Sequence, residues 1–120
     1  MFKHFTEMPV WQKAMKLAVE VFHLTRDLPR SEDYGLTSQI RRSSNGVPGN
    51  ISEAFGRKTK KDKANFNIIA RGSAYETQNH LIYGQKVKYF NETDTKRLFY
   101  EYSDLIHEIN KIVKTLQSQP

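Results

Sequence analysis

Seven basic side chains crowd the middle of the chain: Arg41 and Arg42, then Arg57, Lys58, Lys60, Lys61 and Lys63. Cations at this density can neutralise phosphates. The chemistry they suggest is contact with RNA or DNA, dependent on salt and largely indifferent to base sequence. Part of the run has a plainer explanation. Arg57 and Lys58 follow directly on the end of a helical pattern, where positive charge complements the helix dipole. Lys60 and Lys61 open the next helix, where positive charge is mildly unfavourable, so helix stability does not account for them. The chain as a whole carries a formal net charge of +6 over 120 residues. That balance favours a polyanion without specifying one. Acids outnumber basic residues only beyond Asn91, which makes the C-terminal segment the least suited to such a partner.

Other constellations are weaker. Glu20-x-x-His23, Asp104-x-x-His107 and the single acids Glu53 and Glu76 supply the residue types of a di-metal site in a helical bundle. Their phase argues against one, because Glu20 and His23 lie on the polar side of the stripe through Leu17, Val21 and Leu24. Asp104 and His107 likewise point away from Leu105 and Ile109. No metal and no cofactor is expected. Nucleophilic catalysis finds no support either, with no cysteine, no Gly-x-Ser-x-Gly elbow and no glycine-rich phosphate loop. Ser43 and Ser44 sit beside arginines, but no histidine is near them in sequence. The chain therefore reads as a non-enzyme. Glu53 and Glu76 border apolar stripes among small residues. Each is a candidate to accept from an arginine of a neighbouring helix or subunit, Arg42 or Arg71.

The elements that must carry these residues are helical. Val10, Ala14, Leu17, Val21, Leu24 and Leu28 recur in steps of four and three, predicting a first helix from Pro9 to about Leu28, stopped by Pro29. Ser31, Glu32 and Asp33 suit a short capped turn. A second helix opens near Leu36 and places Leu36, Ile40, Ser43, Val47, Ile51, Ala54 and Phe55 inward. The phase holds across Pro48, which predicts one helix kinked there. The turn-like composition of Asn45–Gly49 is the argument for a break instead. Gly56 ends it. Thr59 and Asp62 form a capping signal for a third helix, from about Lys60 to Tyr89, with Phe66, Ile69, Ala70, Ser73, Thr77, Leu81, Gly84 and Val87 inward. Small residues mid-helix (Ser43, Ser44, Gly46, Gly49, Gly72, Ser73) suggest close crossings. Asn91 to Asp94 caps a fourth helix with rows through Leu98, Tyr102, Leu105, Ile109, Ile112 and Leu116 and through Phe99, Ile106 and Val113. Ser118, Gln119 and Pro120 are expected to fray.

Four helices joined by short connections, with no strand pattern, predict an all-α, antiparallel up-and-down four-helix bundle in a single domain, residues 1–120. Stripes wider than one bundle core needs predict a homo-oligomer. No apolar run is long enough to span a bilayer and the N-terminus lacks a signal-peptide pattern, so a cytoplasmic protein without membrane attachment is expected. A protein-interaction scaffold that binds no nucleic acid is the alternative to the nucleic-acid reading.

Trp11-Gln-Lys-Ala14, then Gln39, Arg41, Arg42, Pro48, Asn50, Ile51 and Glu53, then Gly72, Ser73 and Glu76 together resemble the bacterial four-helix bundle proteins encoded in intervening sequences of 23S rRNA genes. The resemblance covers nearly the whole chain. The one departure is at Ala54 and Phe55, where that family usually has a glycine-led stop. The resemblance implies a ring-like homopentamer, with Trp11, Pro48, Asn50, Glu53, Gly72, Ser73 and Glu76 in structural or interface roles, in a family with no established enzymatic activity. A related accessory protein of diversity-generating retroelements associates with a reverse transcriptase and with nucleic acid, which makes such an enzyme a conceivable partner by resemblance.

Overall fold

The computed structural model describes residues 1–118. Its four helices are α1, Pro9–Leu24; α2, Leu36–Gly56; α3, Lys60–Lys86; and α4, Glu92–Ser118. Among the described residues there is no strand. Each helix has two neighbours: α1 packs on α2 and α4, and α3 packs on the same two. With short turns between successive helices this is the up-and-down bundle, 48 Å long and about 20 Å across. One end gathers the α1–α2 and α3–α4 connections. The other gathers the N-terminal segment, the α2–α3 turn and the last turns of α4.

The caps explain where the helices begin. Pro9 stands in the first turn of α1, where its missing N–H costs nothing. The Thr59 hydroxyl accepts from the Asp62 N–H at 3.1 Å and opens α3. Asn91 Oδ1 accepts from the Asp94 N–H at 2.7 Å and opens α4. The start of α2 is capped from a distance in sequence. Glu32, in a short 3-10 turn over Arg30–Glu32, accepts from the Leu36 N–H at 3.1 Å. The other oxygen of the same carboxylate accepts from the Tyr89 hydroxyl at 3.0 Å, tying both connections together. A Cβ on Gly35 would come within 2.7 Å of that carboxylate, which is why glycine suits the position.

Two helices end earlier than their sequences suggest. α1 stops at Leu24, not Leu28. The Thr25 hydroxyl donates back to the carbonyl of Val21, and i→i−3 bonds from Arg26 and Leu28 tighten the chain before Pro29, whose predecessor cannot stay helical. α3 stops at Lys86 because Lys88 turns into the left-handed region, φ 74°, and the N–H groups of Tyr89 and Phe90 both return to the carbonyl of Gly84. Ser118 remains helical; Gln119 and Pro120 lie outside the described residues.

α2 runs unbroken through Pro48, so the alternative of a break at Asn45–Gly49 is excluded. Small residues let α3 come close there. A Cβ on Gly46 would approach Ser73 Oγ to 3.1 Å. The buried Thr77 hydroxyl donates to Ser43 Oγ at 2.9 Å, and Ser43 donates onward to the carbonyl of Ile40. Gly49 and Gly72, expected at close crossings, face open space instead.

The core joins Leu17 and Val21 of α1, Ile40, Val47 and Ile51 of α2, Leu81 of α3, and Leu98, Tyr102, Leu105 and Ile109 of α4. Each large aliphatic side chain buried this fully stabilises the fold by about 2 kcal/mol. The inward face of α3 differs from the expected one. Ala64, Asn67, Ala70, Ala74, Thr77, Gln78, Leu81 and Gly84 are buried, whereas Ile69 and Val87 are exposed and Phe66 is half-buried. Gln78 faces α4, donating to the carbonyl of Phe99 and to Ser103 Oγ, each at 2.9 Å.

Candidate nucleic-acid interface

The seven candidate cations do not form one surface. Arg41 and Arg42 lie some fifteen residues before the others on α2, about 22 Å along a helix. Adjacent in sequence, they also point apart. Arg41 turns towards α1, where its Nε donates to Thr25 Oγ1 at 2.8 Å and its guanidinium covers the Phe22 ring at 4.4 Å. Arg42 turns towards α3, pairing with Glu76 and donating to Gln39. His80, one turn beyond Glu76 on α3, approaches the same carboxylate at 3.4 Å. Of the two candidate acids, then, Glu76 makes the link between helices. Glu53 pairs along its own helix with Arg57 at 3.0 Å. Arg71 reaches Asn110 on α4 at 2.8 Å, not an acid.

Arg57 is engaged a second time, its guanidinium 4.4 Å from the centre of the Phe66 ring. Lys63 is folded back on the end of α2, donating to the carbonyl of Phe55 at 2.9 Å and lying within 3.4 Å of that of Ala54. Those are carbonyls a helix end leaves without intrahelical donors, and a lysine is well suited to serve them. Arg41, Arg42, Arg57 and Lys63 are therefore each engaged by groups of the chain itself.

Lys58, Lys60 and Lys61 remain. All three are exposed, and among the described residues none of their ammonium groups makes an ion pair or a hydrogen bond. They project from the α2–α3 turn and the first turn of α3, where Asp62 is the neighbouring acid.

Aromatic rings gather at the same end, a feature the sequence pattern does not display. Phe5 and Glu7 belong to a short 3-10 turn capped by His4. The Phe5 ring lies 5.1 Å from Trp11 and 6.4 Å from Phe55, and the His4 ring lies 4.2 Å from Phe5 and 6.4 Å from Phe55. The Phe5 ring thus bridges Trp11 on α1 and Phe55 near the end of α2, three residues before Lys58. Pro48 is buried in α2, and Asn50 donates to the carbonyl of Gly46 at 2.8 Å within that helix.

The residues considered for a metal are dispersed. Glu20 faces α4 and pairs with Arg97 at 3.2 Å, His23 is exposed beside Arg26, and Asp104 and His107 are exposed on α4. No group of three or more potential ligands comes together among the described residues. Among the described residues no helix is long and apolar enough to cross a membrane.

Comparison with known proteins gives the chain its relatives. The family model described as 23S rRNA-intervening sequence protein matches residues 6–114. Among solved structures, one of a protein of unknown function from the S23 ribosomal protein family of Bacteroides thetaiotaomicron is similar, with a TM-score of 0.79 and 21% identity over 88% of this chain and 98% of that one. At that identity the likeness is one of fold. Among curated proteins, none matches.

Proposed function

The chain belongs to the 23S rRNA-intervening sequence protein family, and we propose that it is a non-enzymatic, self-associating helical bundle that contacts nucleic acid through Lys58, Lys60 and Lys61. The observation that carries this reading is the division among its cations. Four of the seven central basic residues have partners within the chain, and three that stand within four consecutive positions do not. Two of those three sit in the first turn of α3, at the positive end of its dipole, where they cost a few tenths of a kcal/mol. A polyanion offsets that cost and supplies the missing counter-charge. Neither the family description nor the solved neighbour names a reaction.

Self-association is supported by apolar side chains left outside the core. Val19 and Phe22 on α1, Ile69, Tyr75 and Ile82 on α3, and Tyr100 on α4 are each at least 40% exposed. The same surface favours a second reading, a scaffold for protein partners in which the lysines only confer solubility.

Fluorescence anisotropy with labelled RNA and DNA in a salt series distinguishes the two. Nucleic-acid contact gives binding at low salt that weakens as salt rises. Changing Lys58, Lys60 and Lys61 together to glutamine should then flatten the slope by about 2 to 3. Absence of binding at low salt, or a triple variant that binds with the parent slope, overturns the proposal. Light scattering after size exclusion tests self-association, which a monomer at micromolar concentration would refute.

A further inference from the structure

The end of the bundle that carries the free lysines also carries exposed rings, and the two together narrow the ligand. Resting on the nucleic-acid reading above, we infer that this end takes a single strand, its phosphates on Lys58, Lys60 and Lys61 and its bases stacked on Phe2 and His4. Phe2 is 47% exposed and His4 is exposed. The His4 ring is not loose. It lies against Phe5, which is backed in turn by Trp11 and Phe55, and its Nδ1 accepts from the Thr6 N–H. A ring supported in this way is a preorganised stacking surface, since little freedom is lost when a base covers it.

Duplex recognition fits this end poorly. The α2–α3 connection is three residues, and both helices it joins are packed into the bundle, so no helix stands free to enter a groove. Bases within a duplex present no face to a ring, whereas every base of a single strand does. Three cations within four residues also cover a short stretch of one backbone and do not track two strands.

The test uses the full chain and fluorescence anisotropy with single-stranded RNA and DNA of about 12 nucleotides, and with blunt duplexes of the same length, at matched low salt. Two variants separate the contributions: Phe2→Ala with His4→Asn, which removes both rings but keeps a side-chain acceptor for the 3-10 turn, and the triple lysine-to-glutamine change. Single strands should bind at least tenfold more tightly than duplexes. The ring variant should lose about tenfold on single strands at every salt concentration with an unchanged slope, in line with the stacking of a base on an aromatic side chain. The triple variant should flatten the slope. Equal affinity for duplex and single strand, or a ring variant with parental affinity and a parental circular dichroism spectrum, overturns the single-strand assignment and leaves the nucleic-acid reading standing. Failure of all these nucleic acids to bind overturns both.

Discussion

Tyr102 tests the account of the core most directly. Its ring is fully buried in the core, yet its hydroxyl has no hydrogen-bond partner among the described protein groups. Glu20 contributes to the difficulty. One of its oxygens holds Arg97 and the other is buried without a partner among the described residues. Burial of the phenol, and after it the nearby charge of Glu20, pushes the Tyr102 pKa well above its ordinary value of 10.0. A buried hydroxyl left unsatisfied costs about 1–3 kcal/mol. Tyr102→Phe keeps the ring and its packing and removes only that cost. Stability should therefore rise by about 1 kcal/mol, and the melting temperature by about 4 °C for a domain of this size. Urea unfolding followed at 222 nm is the assay, read as a higher midpoint with an unchanged m-value. The sign of the pH dependence follows from the raised pKa. Below about pH 10 both native and unfolded phenols are neutral and the stability is fully present. Above it the unfolded phenol ionises while the native one resists, so stability falls as pH climbs towards the native value, by at most about 1.4 kcal/mol per pH unit. Tyr102→Phe should lose this part of the alkaline decline. A variant less stable than the parent by more than about 0.5 kcal/mol would refute the reasoning, because the hydroxyl would then be satisfied.

Three further outcomes follow from single contacts. Gly84→Ala adds a Cβ into the ring of Phe90, which is buried against it; the displaced ring outweighs the gain in helix propensity, and thermal melts should show a loss of about 1–2 kcal/mol. Lys88→Gly relieves a left-handed residue at the end of α3 and should raise the urea midpoint by the equivalent of about 0.5–1 kcal/mol, whereas a lower midpoint would place the strain elsewhere. Arg42→Ala breaks the pair with Glu76, but the arginine side chain is 59% exposed; a double-mutant cycle with Glu76→Ala should give a coupling under about 1 kcal/mol that shrinks in high salt, and a coupling above 2 would contradict a surface pair.

The helices were legible in the sequence where their ends are written in local chemistry. Thr59 and Asn91 cap as their residue types dictate, and the stripe through Leu98, Tyr102, Leu105 and Ile109 falls inward because large apolar residues mark it. α3 was harder to read for a physical reason. Its neighbours lie close, so its buried face is made of Ala64, Ala70, Ala74, Thr77 and Gly84, residues that carry little apolar signal, while Ile69 and Tyr75 stand outside. The end of α1 is not written in its residue types, because the four-and-three spacing continues to Leu28 while the i→i−3 bonds of Arg26 and Leu28 that tighten the chain are a property of the fold. The partners of Arg41 and Arg42 were hidden for a related reason. Thr25 is sixteen residues from Arg41 and Glu76 is 34 from Arg42, and residue type alone does not say which charges a fold consumes.

That last point governs how a basic sequence should be weighed. Net charge treats every cation as available to a partner, yet Arg41, Arg42, Arg57 and Lys63 each make contacts within the chain, three of them over aromatic rings and Lys63 also on helix-end carbonyls. Of the seven central cations, three lysines are left for a ligand. Three phosphate contacts to a single strand give a salt slope of only about 2, too little for firm binding near physiological salt. The two parts of the proposed function are therefore coupled. A self-associated bundle repeats the lysine end in each copy, and contacts weak in one copy add through effective concentration when a strand reaches several. The measured slope divided by about 2 then counts the copies a strand engages, and it should exceed one only for oligonucleotides long enough to pass from one bundle end to the next.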